Sequence, residues 1–302
     1  MNSHYRNKTI FSWDTYVNNN ISSIISLHIM NHFKKILIDI NIRNIIIRNI
    51  HHQIAIILQF DDHYIEETYK YNIYCTIKNV IKNLDIDYEL KYFAIQTLYN
   101  KKFIKNENIQ IYKKQYIKFT VNYFNPVIIS LLPDSFYQPN ISILNIYYEK
   151  FDKWIKTSKC TNIINLGDDG GNICSILHNH FDNMITLFHC EQSFKCAKEI
   201  IKDNQIQNLK LTFQISQCTH FDNQYNNIIL FINPGRKGLH DYELDFIHKS
   251  KNINYIVYLA CNYQAFLKNA DKLNEYYIID RVELNVMPHT NITQNLIYMK
   301  KN

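Results

Sequence analysis

Apolar side chains recur at Ile21, Ile24, Ile25, Ile29, Phe33 and Ile36, a three-and-four spacing that predicts a helix over 18–38. Two β-branched runs follow, Ile42–Ile50 and Gln53–Phe60, parted by His51 and His52, and these predict a hairpin. A second helical pattern over 62–83 and strand patterns over 88–99, 109–112 and 116–132 complete a smaller α+β domain, residues 1–132. Beyond the prolines at 133 and 139 the pattern changes. Helix 143–157, strand 161–166, helix 171–180, strand 184–189, helix 193–204, strands 209–215 and 227–232, helix 240–248, strand 255–260, helix 263–275 and a last strand pair fill a second domain, residues 133–302. Such alternation predicts an α/β domain whose mostly parallel sheet carries helices on both faces.

Composition narrows this picture. All five glycines fall in two stretches, 167–171 and 235–238, each after an apolar strand pattern. Glycine used so sparingly marks backbone that needs positive φ or close approach of a ligand, so the two loops point to one crevice at the strand ends. Seven cysteines without a C-x-x-C pair imply neither a disulfide framework nor a zinc site, and favour a reducing compartment. The opening residues lack the apolar core of a signal peptide, and no apolar run approaches the ~18 residues of a membrane span. A soluble cytoplasmic monomer with no membrane association is expected.

Charge is unevenly shared: residues 1–140 hold 16 Lys/Arg against 11 Asp/Glu, which is +5 of the formal +6. There Lys101, Lys102, Lys105, Lys113, Lys114 and Lys118 are interleaved with Phe103, Tyr112, Tyr116 and Phe119. Cations for phosphates beside rings for bases suit RNA, while a solvated lysine-rich face with ordinary strand aromatics has the same composition.

The strand pattern ending at Leu166 runs into Gly167-Asp168-Asp169-Gly170-Gly171-Asn172 and then a helix, so that backbone amides and a helix N-terminus face a ligand. Glu191 follows 20 residues after Gly171, past the next strand, where an acid can accept hydrogen bonds from ribose hydroxyls. G-x-G-x-x-G and G-x-x-x-x-G-K-[ST] are both absent, which counts against NAD and ATP, while S-adenosylmethionine, with ribose but no phosphates, remains beside the alternative of a chance surface Glu in an ordinary βαβ unit.

Five segments then carry a resemblance. Pro133 to Asn140 contains Phe136, Gln138 and Asn140 in an S-F-x-Q-x-N pattern, and Asn165–Ile173 is similar to D-L-Y-C-G-x-G-N-F. Asn233-Pro234-Gly235-Arg236-Lys237-Gly238 is similar to D-P-P-R-x-G, Tyr258 to Asn262 to Y-x-S-C-N, and Asn285 to Gln294 to D-x-F-P-[HY]-T-x-H-x-E. In this order and spacing the segments resemble the RNA (uracil-5)-methyltransferases, most closely the tRNA branch that makes ribothymidine in the T loop. The resemblance implies a Rossmann-like class I S-adenosylmethionine-dependent methyltransferase domain. It assigns Gln138, Gly167, Gly171, Asn172, Glu191 and Asn233 to the methyl donor, Cys261 to the nucleophile and Gln294 to the proton-abstracting position. Arg236 suits either a contact to substrate RNA, joining Lys101, Lys102, Lys113 and Lys114, or a helix-capping or surface cation. No metal and no iron–sulfur cluster is expected, since Cys75 is the only cysteine before Cys160.

Several acids of the family pattern are amides here: Asn165, Asn233, Asn285 and Gln294. Attack of a cysteine thiolate on carbon 6 of uracil makes carbon 5 nucleophilic, and after methyl transfer a base must remove the carbon 5 proton. An amide cannot accept it at neutral pH. Three readings stay open: a tRNA (uracil-5)-methyltransferase with Gln294 or a solvent-linked group at the base position, a non-catalytic RNA-binding or tRNA-chaperone-like descendant, and a structural ribonucleoprotein subunit.

Overall fold

The structure is a computed structural model that describes residues 11–12, 42–50, 53–61, 66–83, 89–98, 109–123, 125–132, 135, 141–167, 172–285 and 293–302. The chain divides into two compact units, residues 1–119 and 120–302. The expected helix over 18–38 lies outside the described residues.

The first unit holds a five-stranded sheet in the order β1 (Phe11–Ser12), β2 (Ile42–Ile50), β3 (Gln53–Asp61), β4 (Glu89–Leu98), β5 (Ile109–Lys114). β2 and β3 form the expected antiparallel hairpin, whereas β3 and β4 are parallel. A parallel pair needs a crossover, and α1 (Glu67–Asn83) supplies it. Its Ile73, Ile77 and Ile81 recur every fourth residue and bury against Ile54, Ile56, Leu58, Phe60, Phe93 and Ile95. Helix and mixed sheet make this unit α+β.

β6 (Ile117–Asn122), in which the division falls, and β7 (Pro126–Leu131) form a two-stranded sheet. The sequence reads as one strand over 116–132, but the Asn125-Pro126 pair is a turn signal and proline cannot donate to a ladder. β7 belongs to the second unit, so the division comes before 132. The Asn204 side chain holds both backbone groups of Ile128 at 2.7 Å, and Ser130 Oγ donates to Asp203 at 2.6 Å.

The second unit is built on a seven-stranded sheet in the order β10-β9-β8-β11-β12-β14-β13. Its strands are β8 (Asn162–Gly167), β9 (Asn183–Leu187), β10 (Leu209–Thr212), β11 (Ile228–Asn233), β12 (Ile253–Ala260), β13 (Tyr276–Asn285) and β14 (Thr293–Lys301). β14 runs antiparallel to both neighbours, and the pairs from β10 across to β12 are parallel. Every residue of β8 and β11 is buried, as expected of central strands covered on both faces.

α2 (Ile141–Ser158) packs Phe151 edge-on to Phe231 and stacks Trp154 on Tyr298 at 5.0 Å. α3 (Asn172–Ile176) and α4 (Glu191–Asn204) follow β8 and β9. α5 (Ile215–Gln224), α6 (Asp241–Lys249) and α7 (Tyr263–Lys272) contribute Cys218, Phe221, Leu244, Ile247 and Phe266 to the core cluster. The sequence pattern places no helix between the strands at 209–215 and 227–232, where α5 stands: Ile215, Ser216, Cys218 and Thr219 are poor helix formers. The parallel order of β10, β9, β8 and β11 nevertheless demands a crossover, and Asp222 fixes the new helix by accepting from Ser250 Oγ at 2.5 Å. The expected helix 171–180 is short, ending at Ile176 before a 3₁₀ turn, His178–His180.

Candidate active site

The chain enters the sheet at β8, fills one side through β9 and β10, then crosses back to β11, so the strand order reverses between β8 and β11. In such sheets ligands bind beyond the carboxyl ends of the strands at this reversal. Gly167 ends β8 directly opposite Asn233, which ends β11. Gly167 has φ +142°, and a Cβ there would strike the Asn233 carbonyl oxygen and stand 3.0 Å from the Asn233 Cβ. Only glycine fits. Asn172 opens α3 and is buried, and Glu191 opens α4 just past β9, its carboxylate 2.8 Å from Lys195 Nζ. Gln138 and Gly171 lie outside the described residues.

The turn after β11 is held from behind. Gly238 has φ +82°, and a Cβ there would strike Asn269 Oδ1. That oxygen accepts from Leu239 N–H at 3.0 Å and Tyr258 O–H at 2.7 Å, tying the turn to α7 and β12. Asn262 caps α7 by accepting from the Gln264 and Ala265 N–H groups, and its Nδ2 donates to the Arg236 carbonyl at 3.4 Å. Arg236 and Lys237 themselves are exposed.

Cys261 stands at the end of β12, and burial pushes its thiol up from the ordinary range, while a hydrogen bond from Gln294 and the charge of Arg236 pull it down. Gln294, at the start of β14, donates from Nε2 to Cys261 Sγ at 3.2 Å. Its Oε1 accepts from the hydroxyl of Tyr147 on α2. Asn295, next in β14, accepts from Arg281 Nε at 2.7 Å, and that guanidinium lies 3.9 Å over the Tyr263 ring. The structure thus brings Cys261, Gln294, Arg236 and Asn262 to the carboxyl edge shared with Gly167 and Asn233. Tyr147 and Asn269 each sit in a helical pattern that reads as ordinary core, and no sequence motif singles them out.

In the first unit, Lys114 is exposed, whereas Lys113 lies 4.0 Å from Glu89, which also pairs with Lys91 at 2.5 Å. Tyr112 stacks on Tyr74 at 5.5 Å and packs against the core, so its ring is engaged in the fold. Lys101 and Lys102 lie outside the described residues. Among the described residues there is no group of three or more His, Cys, Asp or Glu able to hold a metal, and no helix long and apolar enough to cross a membrane.

No family model matches the chain. It is 24% identical over 169 residues to the 23S rRNA (uracil(747)-C(5))-methyltransferase RlmC of Photorhabdus laumondii, a match covering 55% of this chain and 44% of that protein. It is also 24% identical over 182 residues to the tRNA/tmRNA (uracil-C(5))-methyltransferase of Haemophilus ducreyi, covering 55% and 48%. The chain is similar in sequence to RNA uracil-C5 methyltransferases. It spans about half the length of these curated relatives. The crystal structure of the Pyrococcus abyssi tRNA (uracil-54, C5)-methyltransferase in complex with S-adenosyl-L-homocysteine superimposes with a TM-score of 0.69 at 15% identity, covering 92% of this chain and 66% of that one. That likeness shows the fold, a Rossmann-like α/β domain.

Proposed function

We propose that the chain methylates carbon 5 of a uridine in RNA, tRNA foremost, with Cys261 as nucleophile. The observation that carries this reading is the contact of Cys261 Sγ with Gln294, two positions 33 residues apart that the family pattern pairs as nucleophile and base. The acid and amides around the strand reversal, Glu191, Asn172 and Asn233, suit ribose hydroxyls and the amino-acid end of S-adenosylmethionine. That donor supplies an electrophilic methyl group on a sulfonium. Gln138 and Gly171 belong to the same donor site by the family pattern.

Cys261 as thiolate adds to carbon 6 of the uracil, and the electron pair so displaced makes carbon 5 nucleophilic. The Gln294 amide N–H and the Arg236 charge both favour the thiolate over the thiol. Once carbon 5 carries the methyl group, its proton must leave and the electron pair must expel the Cys261 sulfur. Gln294 presents an N–H to that sulfur and has no basic site for the proton. Arg236 and Lys114, together with Lys101, Lys102 and Lys113, supply positive charge for the RNA backbone.

One observation favours a second reading: the residue at the base position donates to the nucleophile, which fits an RNA-binding protein that captures uridine and does not turn over. Purified protein with methyl-labelled S-adenosylmethionine and unmodified tRNA, or a 23S rRNA fragment, separates the two. Repeated turnover to 5-methyluridine supports the enzyme, and the better of the two RNAs names the substrate. A denaturation-resistant labelled adduct lost in Cys261→Ala supports capture, and RNA binding without label in either form removes methyl transfer altogether.

A further inference from the structure

We propose that Tyr147 is the positioning residue that fixes the Gln294 amide with its nitrogen, and not its oxygen, toward Cys261. Three separate elements meet here: α2 brings Tyr147, 5% exposed, β14 brings Gln294, 7% exposed, and the end of β12 brings Cys261. An amide occupies almost the same space either way round, but the two orientations do opposite things to a thiol. With nitrogen forward it donates to sulfur and favours the thiolate; with oxygen forward it accepts the S–H and favours the neutral thiol.

The choice falls to the group at the other end. A buried phenol O–H must place its proton on an acceptor, and the amide oxygen is a far better acceptor than the amide nitrogen. Tyr147 donating to Oε1 therefore leaves only Nε2 to face Sγ, at 3.2 Å. The flanking backbone is held as well, since Gln294 pairs with Leu284 and Asn295 with both Glu283 and Ala260 in the sheet. The Gln294 hydrogen bond that offsets the effect of burial on Cys261 is thus set from α2, more than a hundred residues earlier in the chain.

This inference rests on Cys261 being the nucleophile, but its test needs neither RNA nor methyl donor, so loss of methyl transfer alone does not touch it. Alkylation of Cys261 by iodoacetamide is followed against pH in the full chain and in Tyr147→Phe, Gln294→Leu and the double variant, with thermal melting to check folding. Tyr147→Phe is expected to slow alkylation at pH 8 by about 2- to 10-fold and move the profile to higher pH, the size of one hydrogen bond. Gln294→Leu should do the same, and the double variant should be no slower than Gln294→Leu. An unchanged profile in Tyr147→Phe, or its full effect repeated on top of Gln294→Leu, overturns the proposal. Should Tyr147→Phe not fold, the side-chain amide protons of Gln294 in the ¹⁵N-labelled unmutated chain give the answer. They are expected to shift at the pH where Cys261 ionises, and their indifference to that ionisation overturns it equally.

Discussion

The nitrogen of the Gln294 side chain lies 3.2 Å from the sulfur of Cys261, with the amide oxygen turned to the Tyr147 hydroxyl. An amide so placed steadies a thiolate but cannot take a proton from carbon 5. Gln294→Glu is the same size, keeps an acceptor for Tyr147 and adds a base. Turnover to 5-methyluridine is expected to rise by about 10²-fold or more, the usual worth of a general base. A carboxylate against the sulfur also disfavours the thiolate, so Cys261 alkylation should move to higher pH in the same variant. Equal turnover with and without the carboxylate means that the proton leaves by another route.

The sheet was legible because its central strands are buried on both faces and so read as unbroken apolar runs, as in Ile228 to Ile232. α5 was not, because its buried face is only Cys218, Phe221 and Asp222, and the preceding residues favour neither state strongly. The break between β6 and β7 hid in a long β-branched stretch whose turn signal, Asn125-Pro126, is short. At the site, Cys261 and Gln294 stand in local patterns with recognisable neighbours, whereas Tyr147 and Asn269 act through single side-chain contacts across the fold. Nothing in a helical periodicity distinguishes a phenol that packs from one that also donates to an amide.

Cysteine chemistry separates the site from the core. Burial pushes the Cys160 thiol up to about 11 and Cys218 to about 12, while Cys261 keeps two influences that lower it, Gln294 and Arg236. At pH 8, iodoacetamide should therefore modify Cys261 well before Cys160 and Cys218, as read by peptide mapping. Arg236→Ala removes a positive charge that favours the thiolate, so Cys261 labelling should slow at that pH. Cys160 and Cys218 have thiols raised in the folded chain, and the stability they contribute is complete below about 9 and lost as pH rises through 11 to 12. Urea midpoints should fall over that range.

The glycines of the two loops are not equivalent. A Cβ on Gly167 meets the Asn233 carbonyl, whereas a Cβ on Gly235, at φ +71°, meets nothing within 4 Å. Gly235→Ala should cost roughly 1–2 kcal/mol, the penalty of left-handed backbone for an L-residue. Gly167→Ala should cost more, because overpacking adds typically about 1–3 kcal/mol, and it should also weaken S-adenosylmethionine binding by spreading β8 from β11. Urea titration and calorimetry measure the two effects. Similar losses in both variants would mean that β8 and β11 separate freely at their ends.

Asn269 carries three constraints on one buried oxygen: the Leu239 N–H, the Tyr258 O–H and the space left by Gly238. Asn269→Ala leaves two buried donors without that acceptor, at a cost of about 1–3 kcal/mol for an unsatisfied group. The turn that carries Arg236 loses its anchor to α7 in the same step, although Asn262 still reaches the Arg236 carbonyl. Methyl transfer or adduct formation should therefore fall further than stability alone accounts for, and Asn269→Asp, which keeps the acceptor, should recover most of it. Activity measured well below the melting temperature distinguishes the two contributions.

Lysines 113 and 114 are neighbours in β5 with different surroundings, and RNA binding should tell them apart. Lys113 lies 4.0 Å from Glu89, so part of its charge is already answered within the first unit, while Lys114 is exposed. A lysine that neutralises a phosphate releases a counterion, and the logarithm of the binding constant then falls with the logarithm of salt by roughly 0.7 for each single-stranded contact and 0.9 for each duplex one. Lys114→Gln should weaken tRNA binding and flatten the salt dependence by about one such contact. Lys113→Gln should do less of both, and Glu89→Gln, which frees Lys91 and Lys113 from a shared acid, should strengthen binding at low salt. If all three variants bind tRNA with the unmutated salt slope, β5 is a solvated face and the RNA contacts lie elsewhere.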